Sequence, residues 1–241
     1  MAQLIELPRR AVETTARTAT TAVTAPFRPF RPLLPDHSVD EWGRDDHLVR
    51  LLGPLARLRW DVSVGGLHHL PAKAGALLVT NERRWSYSPL YVSLALSSAT
   101  GRPVRFVGRP DHAPFGAGLR RIGALLNDPT EVHGALRHGE LVLMSTSSTN
   151  HPRFAGTVDH ELVGAAVTAH VAVIPVASMS SPFSRTARAE VGAPVRLRKK
   201  RRGPLAEIEI AEAAQRHLQR VLDELGGMQT GMAAFDWLGE G

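Results

Sequence analysis

The sequence predicts an α/β protein with a mostly parallel central sheet flanked by helices. Three observations carry that expectation. Short apolar runs of strand type alternate with segments of helical periodicity from about residue 45 to residue 226. Glycine and proline mark the junctions between them. The run Ala76 to Thr80 within "GALLVTN" is apolar at consecutive positions, as a strand covered on both faces requires.

The elements follow in order. "MAQLIELPRRAVETTARTATTAV" has Arg9, Arg10 and Arg17 among threonines but no apolar core or cleavage site of a secretory signal. A weakly amphipathic surface helix and a mobile tail both fit it. "APFRPFRPLLP" holds four prolines and cannot be a helix interior; it reads as an extended connector laying Phe27, Phe30, Leu33 and Leu34 on the body or on lipid. "DDHLVRLLGPLARLRW" has helical periodicity with a bend at Pro54, and "DVSVGGL" alternates as a strand. After the buried strand, "SPLYVSLALSSAT" is a helix ending before Gly101. "PVRFVG" is a strand, "FGAGLRRIG" a helix, and "ALLN" a short strand. "TEVHGALRHG" is a helix with Thr130 as N-cap, followed by the strand "ELVLMST". "DHELVGAAVTAH" is a helix, and "VAVIPVA" and "ARAEVG" are strands. "PLAEIEIAEAAQRHLQRVLDEL" is a long amphipathic closing helix before Gly226 and Gly227. The expected organisation is a tail and connector over 1–44, one domain over 45–226, and a C-terminal tail over 227–241.

Composition sets the outer limits. A chain of 241 residues can bury a full core as one domain. The absence of cysteine removes disulfides, a thiolate nucleophile and any cysteine-based zinc site. No run of about 18 apolar residues exists, so no spanning helix is expected. The net charge of +6 favours anionic surfaces, phospholipid or nucleic acid, without choosing between them. The block "RLRKKRR" (Arg196, Arg198, Lys199, Lys200, Arg201 and Arg202) places six positive charges in seven residues. No aromatic platform or RNA-reading motif accompanies it, so lipid head groups rank ahead of nucleic acid.

The order of short signals says more. A strand, a glycine turn and a buried strand ("WDVSVGGLHHLPAKAGALLVTN") precede a strand and arginine-bearing helix ("RFVGRPDHAPFGAGLRRIGALLNDP"). "ALRHGELVLM", "AHVAVIPVA" and "AEVGAPV" follow. In that order they resemble the PlsC-like glycerolipid (lysophosphatidate) acyltransferases, over roughly Leu48 to Val195. The resemblance implies that family's fold. It also implies transfer of an acyl chain from acyl-CoA or acyl-carrier protein to a glycerol hydroxyl at a membrane face, with no further cofactor. Separately, the scattered histidines form no His-x-x-x-His set, so no metal site is expected. In the family's Asn-His-x-x-x-x-Asp motif the histidine is the general base and the aspartate orients it. Here Asn81 matches the asparagine, but Glu82 stands at the histidine and Tyr87 at the aspartate, where a helical offset would bring the two side chains together. In the family's Phe-Pro-Glu-Gly-Thr-Arg motif, Thr146 replaces the glutamate, Ser147 the glycine and Thr149 the arginine. "VIPVA" and Gly192-Ala193-Pro194-Val195 keep the fold-building motifs, and Arg109 sits near the family's phosphate-directed cation.

Scaffold signals persist where chemistry signals fail. An ordinary glutamate, with a pKa near ~4.3, is a weak base for an alcohol, and an ion pair with a neighbouring arginine is its alternative role. A protonated tyrosine cannot orient an imidazole as a carboxylate does. The adjacent His68 and His69 are expected to project apart, and neither His112 nor His133 has a companion carboxylate at a useful spacing. The hydroxyl-rich "STSST" and "SMSS" either bind phosphate or satisfy local backbone. The expectation is a catalytically impaired acyltransferase-fold protein, cytoplasmic and peripheral at the inner face of the plasma membrane. It would bind phospholipid, lysophospholipid, an acyl donor or a protein partner, with Asn81, Arg84, Arg109, Thr146, Ser147 and Thr149 toward the substrate. An active divergent acyltransferase is the first alternative; a basic nucleic-acid-binding protein is the second.

Overall fold

A computed structural model of the chain describes residues 39–83, 86–108, 110, 115–151, 153–180, 185–195 and 203–226. The expected N-terminal helix or tail, the proline-rich connector, Arg84, Arg109, the basic block Arg196 to Arg202 and the C-terminal tail lie outside the described residues.

Seven strands form one sheet: β1 (Asp61–Gly65), β2 (Ala76–Thr80), β3 (Val104–Val107), β4 (Ala124–Leu125), β5 (Leu141–Ser145), β6 (Ala172–Ser180) and β7 (Thr186–Val191). Their order across the sheet is β1-β7-β6-β2-β5-β3-β4. Every neighbouring pair is parallel except β6 and β7, which run antiparallel. The helices are α1 (Asp46–Arg59), α2 (Ser88–Thr100), α3 (Phe115–Arg121), α4 (Pro129–Arg137), α5 (His160–Thr168) and α6 (Pro204–Leu225). The α/β class with a mostly parallel sheet is therefore as expected.

The central strand shows why the class was readable. All five residues of β2 are buried. Leu77 and Val79 belong to the core under α4, α5 and α6, while Ala76 and Leu78 belong to the core under α2. A strand that must satisfy two apolar faces cannot alternate with polar residues.

Local chemistry sets the helix ends. Asp45 caps α1 by accepting from the backbone N–H groups of His47 and Leu48, at 3.0 Å each. The cap of α4 is Asp128, accepting from the Thr130 N–H at 3.0 Å, rather than Thr130 itself. Pro129 decides this: lacking an N–H and with φ already helical, it suits the first helical position and leaves the cap to the residue before it. Pro54 lies inside α1, which runs unbroken from Asp46 to Arg59.

The compact unit begins at Val39, ahead of the expected boundary at residue 45. A polar tie accounts for this. Arg105 on β3 is only 1% exposed and pairs with Asp40, and its Nε lies 3.3 Å from Glu140. Asp40 also accepts from the N–H groups of Trp42 and Arg44. Trp42 packs so closely on Gly134 of α4 that a Cβ there would come within 2.7 Å of its ring.

Removing one partner of a buried ion pair strands a charge, whereas replacing the charge by an apolar side chain need not. Asp40 is partly exposed and Glu140 stays beside Arg105, so Asp40→Ala is expected to lower stability by about 1–2 kcal/mol. Arg105→Met should cost about 1 kcal/mol or less, both values read from urea unfolding midpoints.

Candidate functional site

Parallel strands deliver their C-terminal ends to one edge of the sheet, where α/β folds place reactive groups. Here that edge gathers the residues after β2, the residues after β5 and the second half of β6. Thr80 pairs in register with Ser145 on one side and Val176 on the other. The Thr146 N–H donates to the Thr80 carbonyl at 2.9 Å, and the Thr149 N–H to the Glu82 carbonyl at 2.9 Å. The two sequence motifs thus converge as a shared site requires.

Convergence does not yield a catalytic set. Asn81, 4% exposed, is committed to β6. Its Nδ2 donates to the Ser178 carbonyl at 2.8 Å, and its Oδ1 accepts from the Ser178 N–H at 2.7 Å. The Ser178 hydroxyl lies 3.2 Å from both Asn81 Oδ1 and Thr80 Oγ1. This amide positions a strand end. Thr146 is buried and takes the Glu82 N–H at 3.4 Å. Ser147 accepts from the N–H and hydroxyl of Thr157 at 2.8 and 2.9 Å. Thr149 donates its hydroxyl toward the His151 and Phe154 carbonyls at 3.0 and 3.2 Å. All three hydroxyls serve local backbone, one of the two roles expected of "STSST". The "SMS" of 178–180 belongs to strand β6 rather than to a loop.

Glu82 and Tyr87 do not share a helix. Because α2 begins at Ser88, the helical offset expected to bring them together is absent. Tyr87 precedes the helix at φ 53° and ψ 33° and is 59% exposed. That left-handed conformation is costly for a residue with a Cβ. Among the described residues no arginine lies within ion-pair distance of the Glu82 carboxylate.

His112 lies outside the described residues, and neither His133 nor His69 is placed to substitute. His133 Nδ1 lies 3.3 Å from the Ala165 carbonyl, and His69 Nδ1 lies 2.9 Å from the Val191 carbonyl. The rings of His68 and His69 do not project apart; their centroids are 4.0 Å from each other within one 3-10 turn, Leu67–His69, which turns both toward the same side. Among the described residues no group of three histidine, aspartate or glutamate side chains could hold a metal.

What occupies the corner is a small hydroxyl network that the sequence did not reveal. Ser86 and Ser88 oxygens are 2.7 Å apart, and the Tyr91 hydroxyl reaches Ser88 at 3.5 Å. With Asn81, Arg83 and Ser178 they line a cavity of ≈ 10 Å³, about the space of one water.

With this geometry in view, the chain is similar to a solved structure, the 1-acyl-sn-glycerophosphate (LPA) acyltransferase PlsC from Thermotoga maritima. The TM-score is 0.54 and the identity 15%, over 83% of this chain and 87% of that one. The two share a fold. No family model and no curated protein matches the chain. The acyltransferase-type architecture therefore stands on three-dimensional likeness to PlsC, and the chemistry has to be read from the corner itself.

Glycine at position 87 would relieve the left-handed strain without touching the core. Tyr87→Gly should raise the thermal unfolding temperature, equivalent to about 1 kcal/mol, against the usual destabilising effect of a glycine substitution.

Proposed function

We propose that this chain is a lipid-binding protein on the acyltransferase fold that does not itself transfer acyl groups. One observation carries the reading: among the described residues, the side chains where the strand ends meet are bonded to one another rather than left open, around a cavity of ≈ 10 Å³. The residues point the same way. Among the described residues no arginine pairs with the Glu82 carboxylate, Tyr87 faces solvent, and Thr149 offers no cation to a phosphate.

The place of action we propose is an anionic membrane surface, approached without a spanning helix; no described helix is long and apolar enough to cross. Helix α1 supports it. Leu51, Leu55 and Leu58 recur at helical spacing, are 60%, 59% and 66% exposed, and are flanked by the exposed Arg50, Arg57 and Arg59. An apolar stripe edged with cations suits the boundary between head groups and acyl chains. The basic block Arg196 to Arg202 adds charge of the same sign.

Two experiments test this. Labelled acyl-CoA or acyl-carrier protein is followed into phosphatidate from lysophosphatidate, with the native chain and with Glu82→Ala. The expected result is no turnover in either, because losing a positioned acid–base pair alone costs roughly 10²–10⁴-fold. Turnover that Glu82→Ala abolishes would make Glu82 the base and the chain an enzyme. In sedimentation with vesicles, binding should favour phosphatidylserine-containing over neutral phosphatidylcholine vesicles and should weaken as salt rises. Leu51→Glu with Leu55→Glu should reduce it, and equal binding to both vesicles would remove the electrostatic part.

A further inference from the structure

A cavity of ≈ 790 Å³ lies between α1, β1 and α2, within the roughly 300–1,000 Å³ of ordinary ligand pockets. It exists because α1 is seated shallowly. None of its residues is fully buried, and it turns Val49, Gly53 and Ala56 inward, which are too small to fill the space. The apolar wall is Trp60, Val62, Val64, Tyr91 and Leu94. Arg44, Arg50 and Arg57 line the same cavity, opposed by a single carboxylate on its wall, Asp61.

Arg44 is the informative residue. It is 6% exposed, and its Nη1 is buried with no hydrogen-bond partner among the described residues. Its Nε lies 3.1 Å from Asp46, a carboxylate that is itself well exposed. Burial lowers the Arg44 pKa from its ordinary value; Asp46 opposes the shift and Arg105 adds to it. A largely buried guanidinium on the wall of a ligand-sized cavity, with Arg50 and Arg57 lining the same space, is the complement of an anion.

We propose that this cavity binds a single-chain amphiphile with one anionic head group, the head on Arg44 and the chain along Trp60, Tyr91 and Leu94. The proposal rests on the lipid-binding reading above and places the ligand away from the corner at Asn81 and Ser178. Arg57, which donates to Ser98 on α2 at 3.0 Å, straps the two helices across the cavity. Arg50 and Arg57 add charge around the head group.

The test titrates the full chain by calorimetry with decyl phosphate, decanoate and, as the neutral-head control, decyl maltoside, each below its micelle concentration. Both anionic probes should bind, about ten-fold or more tighter than the maltoside, as a charge-assisted hydrogen bond implies. Decanoate and decyl phosphate together separate a carboxylate from a phosphate preference. Ala95→Trp fills the cavity and should weaken both by about ten-fold or more at an unchanged melting temperature. Arg44→Gln should bring the anionic probes to the level of the maltoside. If that variant does not fold, the exposed pair Arg50→Gln with Arg57→Gln should narrow the preference instead. Ser180→Trp, which fills the corner cavity, should leave binding unchanged. Equal affinity for the maltoside, or unaltered binding by Ala95→Trp, overturns the proposal. Loss of binding in Ser180→Trp but not Ala95→Trp overturns it while sparing the lipid-binding function. Failure of every amphiphile to bind overturns it, while the vesicle sedimentation decides the lipid-binding reading separately.

Discussion

The corner of the sheet depends on one buried amide. Strands β2 and β6 pair in parallel only as far as Thr80 and Val176, yet β6 continues to Ser180. Its outer edge stays paired with β7, leaving the inner N–H and carbonyl of Ser178 without a strand to meet. The Asn81 side chain presents one donor and one acceptor and satisfies both. In effect a side chain extends the ladder past the end of the strand. Unmet, each of those buried groups would cost about 1–3 kcal/mol. With them met, β6 projects beyond β2, and the segments after β2 and β5 are held against it.

The same economy explains why the corner is chemically quiet. Four hydroxyls there have partners within the protein: Thr146 with Glu82, Ser147 with Thr157, Thr149 with two carbonyls, Ser86 with Ser88. A transfer site needs donors and a base left open toward a reacting atom, which the surrounding structure has to support. Here that support is spent on closing the loops. The tight approach of Gly156 to the Ser147 carbonyl, where a Cβ would come to 1.9 Å, shows how firmly the segment after β5 is folded on itself.

Much of this was written in the chain. The buried run of β2, the helix from Ser88 to Gly101 and the closing helix from Pro204 to Gly226 have local causes: continuous apolarity, a starting proline, a terminal glycine. The convergence of Asn81 with Thr146 followed from the order of strands. What stayed hidden was non-local. Asn81 and Ser178 are 97 residues apart, and nothing near either names the other. Arg44 and Arg105 look like any surface arginine in a basic sequence; only the sheet and α4 bury them. The helical offset between Glu82 and Tyr87 failed because Pro89, favoured in a first helical turn, starts α2 at Ser88 and leaves Tyr87 outside it.

Tyr91 then decides how the two ends of this face relate. Its hydroxyl belongs to the corner, 3.5 Å from Ser88, and its ring belongs to the cavity beneath α1, 5.6 Å from Trp60. The side chain is 2% exposed and stands as the wall between the two spaces. Between Trp60 and the Ser88 hydroxyl, an apolar chain would have to turn Tyr91 out of the core. Large core aromatics resist that: losing such a ring costs on the order of 3–5 kcal/mol. Among the described residues, packing at Tyr91 thereby separates the cavity beneath α1 from the hydroxyls at Ser86, Ser88 and Ser178.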